Sequence, residues 1–124
     1  MDSYMVAMTP RQIVFGRDRG ICALCGLNAE RLYRAMQGIW HDYRVPREIR
    51  EARRKRCEAA LVGRGFDCDT SFWEADHIRP VVEGGPTTLE NLRTLCVPCH
   101  KRVTREMHLR IAERRRGPML FGAP

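Results

Sequence analysis

The chain has 124 residues, and its 22 Lys and Arg against 15 Asp and Glu give a formal net charge of +7. That length allows one domain with a modest core, for which a bound metal ion is a common support. The positive excess favours a polyanionic partner, most often nucleic acid, although many small basic proteins have none. No apolar run reaches the roughly 18 residues that a membrane span needs, and no secretory signal is recognisable. We therefore expect no membrane partner and a cytoplasmic, DNA-associated location, where cysteines bind metals more often than they form disulfides.

Residues 9–37 are predicted to form two short helices joined by a cysteine-containing loop. Thr9 is a favoured cap, and the proline after it suits the first helical position, so the first helix is predicted over residues 9–18. The second helix is predicted from residue 28 to Met36, because its apolar residues recur at helical spacing. Gly38 is expected to break it.

Residues 40–69 are interpreted as a basic helical insertion. Pro46 is predicted to open a helix that ends at Gly63 and carries more Arg and Lys than Glu. Two interpretations of this helix stay open. It is either a solvated helix face or an arm that follows DNA phosphates and releases counterions on binding. In the second interpretation, Arg53 and Arg54 are the candidate DNA contacts.

Residues 72–116 are predicted to fold in β-β-α order, which makes the fold class α+β with additional basic helices. The sequence FWEADHI is typical of a strand, and the Gly-Gly of residues 84–85 indicates a turn. Residues 81–82, both Val, fit either the start of the returning strand or an extended loop. The sequence LRTLC then leads into a helix that starts near Pro98. Residues 117–124 are interpreted as a short apolar tail.

Six cysteines are present, and four of them form two Cys-x-x-Cys pairs about 70 residues apart. That separation is wider than in most zinc ribbons, but each pair places two thiolates on a tight turn. Together they would close a four-thiolate, structural zinc site. A redox pair or reduced buried thiols are the alternatives. Cys57 and Cys68 are interpreted as core or surface thiols. The candidate zinc ligands are Cys22, Cys25, Cys96 and Cys99.

Three polar elements of residues 72–116 follow one another in order: an Asp-His pair, an asparagine after the turn, and a Cys-x-x-Cys-His run. An Asp-His pair alone is common by chance. With the DHIxP and LxNL phrases and the Gly-rich turn, the stretch resembles the HNH (ββα-metal) endonuclease family. The three letters of that name fall on His77, Asn91 and His100. The sequence is especially similar to zinc-containing, four-cysteine HNH domains, such as those that accompany annealing helicases and those of small bacterial and phage nucleases.

This resemblance implies a metal-dependent DNA endonuclease that hydrolyses phosphodiester bonds with one catalytic divalent ion. Asp76 and His100 would bind that ion. His77 would be the general base, since the unperturbed pKa of imidazole lies near working pH. Asn91 would hold the loop and orient His77 through hydrogen bonds. Thr104 stands where some HNH enzymes have a further histidine, and a set of one oxygen and one nitrogen ligand with many waters favours Mg²⁺ or Mn²⁺.

Several alternatives fit the same residues. His100 could replace one cysteine at the structural zinc, and Arg79 could either contact a phosphate or pair with Glu74. The whole chain, residues 1–124, is taken as one HNH domain, alone, as a homodimer, or within larger helicase, phage or restriction machinery. The rival function is a zinc-stabilised module that binds DNA or protein without catalysis. The candidate DNA contacts are Arg53, Arg54, Arg79, Lys101 and Arg105.

Overall fold

The computed structural model describes residues 7–117, which fold as an α+β unit around a two-stranded antiparallel sheet. The predicted β-β-α order and the fold class are confirmed. Residues 118–124, most of the predicted tail, lie outside the described residues. No helix in the described part of the chain combines the length and apolar character needed to cross a bilayer. The elements are α1 (Pro10–Asp18), α2 (Ala29–Trp40), α3 (Arg47–Gly63), β1 (Trp73–His77), β2 (Leu92–Cys96) and α4 (Val97–Arg116).

Helix α1 begins where the sequence predicts. The Thr9 hydroxyl accepts a hydrogen bond from the Gln12 backbone N–H at 3.2 Å, and the Gln12 side chain accepts from the Thr9 backbone N–H at 2.8 Å. This reciprocal pair satisfies two backbone donors at the helix start. The predicted break of α2 at Gly38 is wrong, because the helix continues to Trp40. Trp40 is only 4% exposed, and burying its ring outweighs the roughly 1 kcal/mol penalty of a helical glycine.

Strands β1 and β2 pair so that Asp76 lies opposite Arg93 and His77 lies opposite Leu92. The segment Val81–Glu83 is a single 3₁₀ turn in the loop between them, so the alternative of an early returning strand is wrong. Helix α4 starts directly after β2, with Pro98 in its first turn as predicted. This arrangement brings the end of β1 beside the start of α4.

The core surrounds the sheet and includes buried side chains from all four helices. Its fully buried side chains include Phe72, Val14 and Leu95. Helix α1 packs on β2, α4 packs on both strands, and α2 packs on α3. Because α4 rests on the sheet over its first turns, the residues there are held firmly relative to β1.

A buried polar contact fixes α1 to the sheet. The hydroxyl of Thr94, which is fully buried, donates to Asp18 Oδ2 at 3.0 Å. Arg17 donates to both Asp18 oxygens and also to the backbone oxygen of Leu92 at 2.6 Å. The hydrogen bond from Arg17, assisted by that from Thr94, lowers the pKa of Asp18 despite its partial burial. The carboxylate is therefore better stabilised in the folded chain than in the unfolded one.

The stability lost on replacing this carboxylate should depend on pH. We expect Asp18→Asn to lose about 1–2 kcal/mol at pH 7, because the amide oxygen still accepts from Thr94 but carries no charge for Arg17. Since the folded pKa is lowered, this contribution is complete above the unfolded pKa of about 4 and disappears as pH falls through the folded value. Urea unfolding from pH 7 downwards tests it. Asp67→Asn, at a more exposed carboxylate, is the control, and a pH-independent difference for Asp18→Asn would contradict the prediction.

Candidate active site

The two Cys-x-x-Cys pairs converge on one point. Cys22 and Cys25 lie in the loop between α1 and α2, Cys96 ends β2, and Cys99 lies in the first turn of α4. Their four sulfur atoms lie within 4.8 Å of one another, and the sulfurs of Cys25 and Cys96 are 3.6 Å apart. Tetrahedral bonds of about 2.3 Å to zinc separate neighbouring sulfurs by about 3.8 Å. The four cysteines are therefore positioned to hold a metal ion such as zinc, and His100 is not part of their group.

The loop of the first pair is held by the backbone. Cys22 N–H donates to Leu27 O at 2.8 Å, and Ala23 N–H donates to Thr94 O on β2 at 2.8 Å. Burial raises the pKa of Cys22, but backbone N–H donors, among them that of Cys25, outweigh it and bring the pKa to about 6. Burial raises the pKa of both Cys96 and Cys99. All four sulfurs can be thiolates together only if a cation neutralises them.

A second polar cluster lies in a cleft of about 430 Å³ between β1, the Val81–Glu83 turn and α4. Asp76, His77 and His100 all line this cleft. Asp76 is buried, and its Oδ1 lies 3.9 Å from His100 Nε2, while its Oδ2 accepts from Arg93 Nε at 2.9 Å. Thr104 lines the same cleft one helical turn after His100. The structure thus brings the acid and both imidazoles to one place.

The contacts of the His77 ring differ from those expected. Its Nε2 lies 2.8 Å from the hydroxyl oxygen of Thr87 and not beside Asn91. The Asn91 side chain instead bridges the loop, accepting from Arg79 N–H at 2.9 Å and donating to the backbone oxygens of Arg79 and Pro86. Asn91 therefore contacts the loop backbone as expected, whereas the expected contact to the His77 ring is corrected to Thr87. The reason is that the loop folds back over the end of β1 and brings Thr87 to the ring.

The loop that closes one side of the cleft is tightly constrained. A Cβ atom added at Gly85 would lie 1.7 Å from the backbone oxygen of Arg79, so only glycine fits there. Glu83 pairs with Arg110 at 2.7 Å and with Arg114, both on α4. Hydrogen bonds from those two guanidinium groups lower the pKa of Glu83. These contacts connect the loop to α4 across the cleft.

Sequence reasoning missed Arg93, which lines the cleft, and Thr87, which contacts the His77 ring. Thr87 gives no signal beyond its place after the Gly-rich turn, and Arg93 gives none until the strand register is known. The strands are separated by residues 78–91, a loop too long to fix which residue of β2 faces Asp76. Only the observed pairing shows that Arg93 is the residue opposite Asp76.

Two of the predicted DNA contacts are engaged within the protein. Lys101 donates to the backbone oxygen of Gly65 at 3.0 Å and pairs with Asp67 at 3.1 Å. Arg54 pairs with Glu58 at 2.6 Å and lies over the Trp40 ring, 5.1 Å from its centre. Both side chains are therefore less available to a phosphate than the sequence suggested.

Other predicted contacts remain accessible. Arg53 lines a shallow groove with Arg56 on α3, and neither has an ion-pair partner among residues 7–117. Arg105 lines a second shallow groove along α4. The alternative pairing of Arg79 with Glu74 is wrong, because the ion-pair partner of Glu74 is Arg11, at 3.9 Å.

Comparison with known proteins agrees with this geometry. The family model described as HNH endonuclease matches residues 55–106. "DNA annealing helicase and endonuclease ZRANB3" of Mus musculus is 35% identical over 107 residues, and that of Homo sapiens is 31% identical. Each match covers 76% of this chain but only 9% of the relative, so the chain spans a small part of those proteins.

A solved structure extends the match to three dimensions. The crystal structure of the human ZRANB3 HNH domain superposes with a TM-score of 0.64 at 29% identity, covering 86% of this chain and 93% of that one. With its ββα order and its cluster of four cysteines, this chain contains a domain that matches the HNH endonuclease family model over residues 55–106 and the fold of a solved HNH domain.

Proposed function

We propose that this chain is a DNA endonuclease that hydrolyses phosphodiester bonds with one catalytic divalent ion. The observation that supports this most directly is the presence of Asp76, His77 and His100 in one cleft of a basic protein. The matched relatives are named as DNA annealing helicases and endonucleases, which supports DNA as the substrate. The match to an isolated HNH domain supports a function that resides in this unit.

Asp76 and His100 fit a shared divalent ion. Ligand atoms about 2.1 Å from an octahedral ion lie about 3 Å apart when adjacent and about 4.2 Å apart when opposite. The observed separation of 3.9 Å lies between these values, so a small side-chain adjustment brings both atoms to one ion. With Thr104 as a weak third donor at best, one carboxylate and one imidazole favour Mg²⁺ or Mn²⁺ with several waters. Such an ion, when bound, supplies charge neutralisation at the scissile phosphate and at the leaving oxygen.

His77 is proposed as the general base, and its contact with Thr87 determines which ring nitrogen is free to accept a proton. If Nε2–H donates to the Thr87 hydroxyl oxygen, the lone pair of Nδ1 is left to take a proton from water. The resulting hydroxide attacks phosphorus, the bond to the 3′ oxygen breaks, and that oxygen is protonated by water. The products are a 5′ phosphate and a 3′ hydroxyl. Asn91 keeps the loop that carries Thr87 in place through its backbone contacts.

We propose zinc as the ion of the four-cysteine cluster. Four thiolates fill a tetrahedral site completely, so no position remains for substrate or water and the role is structural. The cluster joins the loop after α1 to the β2–α4 junction, and Cys99 of the cluster directly precedes His100 in α4. Zinc would therefore stabilise the cleft without taking part in the reaction.

The basic face of α3 is proposed to follow the DNA backbone through Arg53 and Arg56. We expect the double change to Glu at both positions to weaken DNA binding at least tenfold and to reduce the slope of log K against log salt by about 2. Fluorescence anisotropy over a salt series measures both quantities. The double change of Arg31 and Arg34 to Glu on α2 alters net charge equally and is the control. Equal losses in both variants would show a general charge effect and contradict the proposed arm.

The rival function is a module that binds DNA or protein without catalysis. Conversion of supercoiled plasmid to nicked circles, with Mg²⁺, with Mn²⁺ or with neither ion added, separates the two. Chelators are left out so that the four-cysteine cluster keeps its ion. Nicking that depends on the added ion supports the nuclease. DNA binding without nicking under any of these conditions favours the binding module.

A further inference from the structure

The cleft contains a guanidinium group that has no assigned role. Arg93 lies on β2 directly opposite Asp76, and its Nε donates to Asp76 Oδ2 at 2.9 Å. Its side chain is 22% exposed and lines the cleft together with His77 and His100. The group therefore sits where a substrate would meet the predicted metal ligand and base.

Most of the hydrogen-bonding capacity of Arg93 is unused. Its only hydrogen bond within residues 7–117 is the one from Nε, so both terminal nitrogens are without a protein partner there. The other arginine lining this cleft is Arg110, and one of its terminal nitrogens is already bonded to Glu83 at 2.7 Å. A half-buried guanidinium with its two terminal nitrogens uncommitted is suited to two oxygens of one phosphate.

We propose that Arg93 binds the phosphodiester that is cut, donating from its two terminal nitrogens to the phosphate oxygens while Nε remains on Asp76. This rests on the proposed endonuclease function. The hydrogen bond from Nε to Asp76 holds the planar guanidinium in place and leaves its two terminal nitrogens uncommitted. The side chain therefore loses little conformational entropy when the substrate binds. Arg93 then has two effects: it balances the buried charge of Asp76, and it counters the negative charge that develops on the phosphate.

A purely structural ion pair makes different predictions. If Arg93 served only to orient Asp76, its loss would weaken divalent-ion binding and leave DNA affinity unchanged. If it contacts the phosphate, its loss weakens DNA binding even without a divalent ion. Ion binding then stays the same or tightens, because a competing cation has left Asp76.

The test compares Arg93→Gln and Arg93→Lys with Arg34→Gln, whose Nε is likewise paired with a carboxylate at 2.9 Å but lies on α2. DNA affinity is measured by anisotropy with no added divalent ion, over a salt series. Mn²⁺ affinity is measured by electron paramagnetic resonance, and nicking by single-turnover assays. Melting curves and zinc content establish that each variant is folded.

For Arg93→Gln we expect a three- to tenfold loss of DNA affinity, a salt slope smaller by about 0.9, and unchanged or tighter Mn²⁺ binding. Arg93→Lys should keep the wild-type salt dependence of DNA binding, because the positive charge is retained. Its nicking rate should fall at least tenfold, because one ammonium cannot reproduce the paired donation of two guanidinium nitrogens to the phosphate. Weaker Mn²⁺ binding with unchanged DNA affinity in Arg93→Gln, or full nicking by Arg93→Lys, would overturn the inference. The binding measurements need no catalysis, so a wild-type protein that fails to nick would refute the proposed function separately.

Discussion

Replacing His77 with alanine is expected to lower the rate of plasmid nicking by about 10²- to 10⁴-fold, the usual contribution of a positioned general base. The change should slow the chemical step alone, because His77 is proposed to take a proton from the attacking water and not to bind DNA or metal. DNA affinity and Mn²⁺ affinity should therefore stay close to those of the wild type. Single-turnover nicking, anisotropy and electron paramagnetic resonance measure the three quantities.

The chain offers a matched control for this change. His108 is also on the surface, but it lines a shallow groove of α4 and not the cleft. His108→Ala should nick at the wild-type rate. The ring of His77 contacts only the Thr87 side chain by hydrogen bond within the described residues, so its removal should leave the melting temperature almost unchanged. Nicking by His77→Ala at the wild-type rate would remove this residue from the mechanism.

Loss of the proposed zinc is expected to have the largest effect on stability. Structural zinc sites in small domains contribute about 10–16 kcal/mol of apparent binding free energy, which is comparable to the whole stability of a domain. We expect Cys96→Ser to lose the ion and to be largely unfolded at 37 °C, because Cys96 is buried at the junction of β2 and α4. Metal analysis should give one zinc per wild-type chain, and circular dichroism should report the unfolding.

A cysteine outside the cluster provides the comparison. Cys57 is half-buried on α3 and is not among the four grouped cysteines, so Cys57→Ser should keep its zinc and lose only a small part of its stability. Treatment of the wild type with a strong zinc chelator should reproduce the Cys96→Ser result. A Cys96→Ser protein with a native melting curve and no bound metal would show that the core alone holds the fold.

Features that depend on near neighbours along the chain could be predicted from the amino-acid sequence. The capping pair at Thr9 and the start of α4 near Pro98 follow from contacts within one helical turn, and the structure has both where predicted. Each cysteine pair likewise forms its tight turn from four consecutive residues. The family pattern then supplied the fold, and its order of polar residues located the cleft at Asp76, His77 and His100.

Contacts between residues far apart in the chain could not be predicted in this way and are known from the fold alone. The partner of the His77 ring is Thr87, the residue opposite Asp76 is Arg93, and Lys101 is engaged with Asp67. Helix α2 likewise continues past Gly38 because of a tertiary effect. Burial of Trp40 at its end outweighs the low helix propensity of glycine. These choices depend on residues far apart in the chain, whose approach is set by strand register and core packing. Local sequence rules carry no information about that approach.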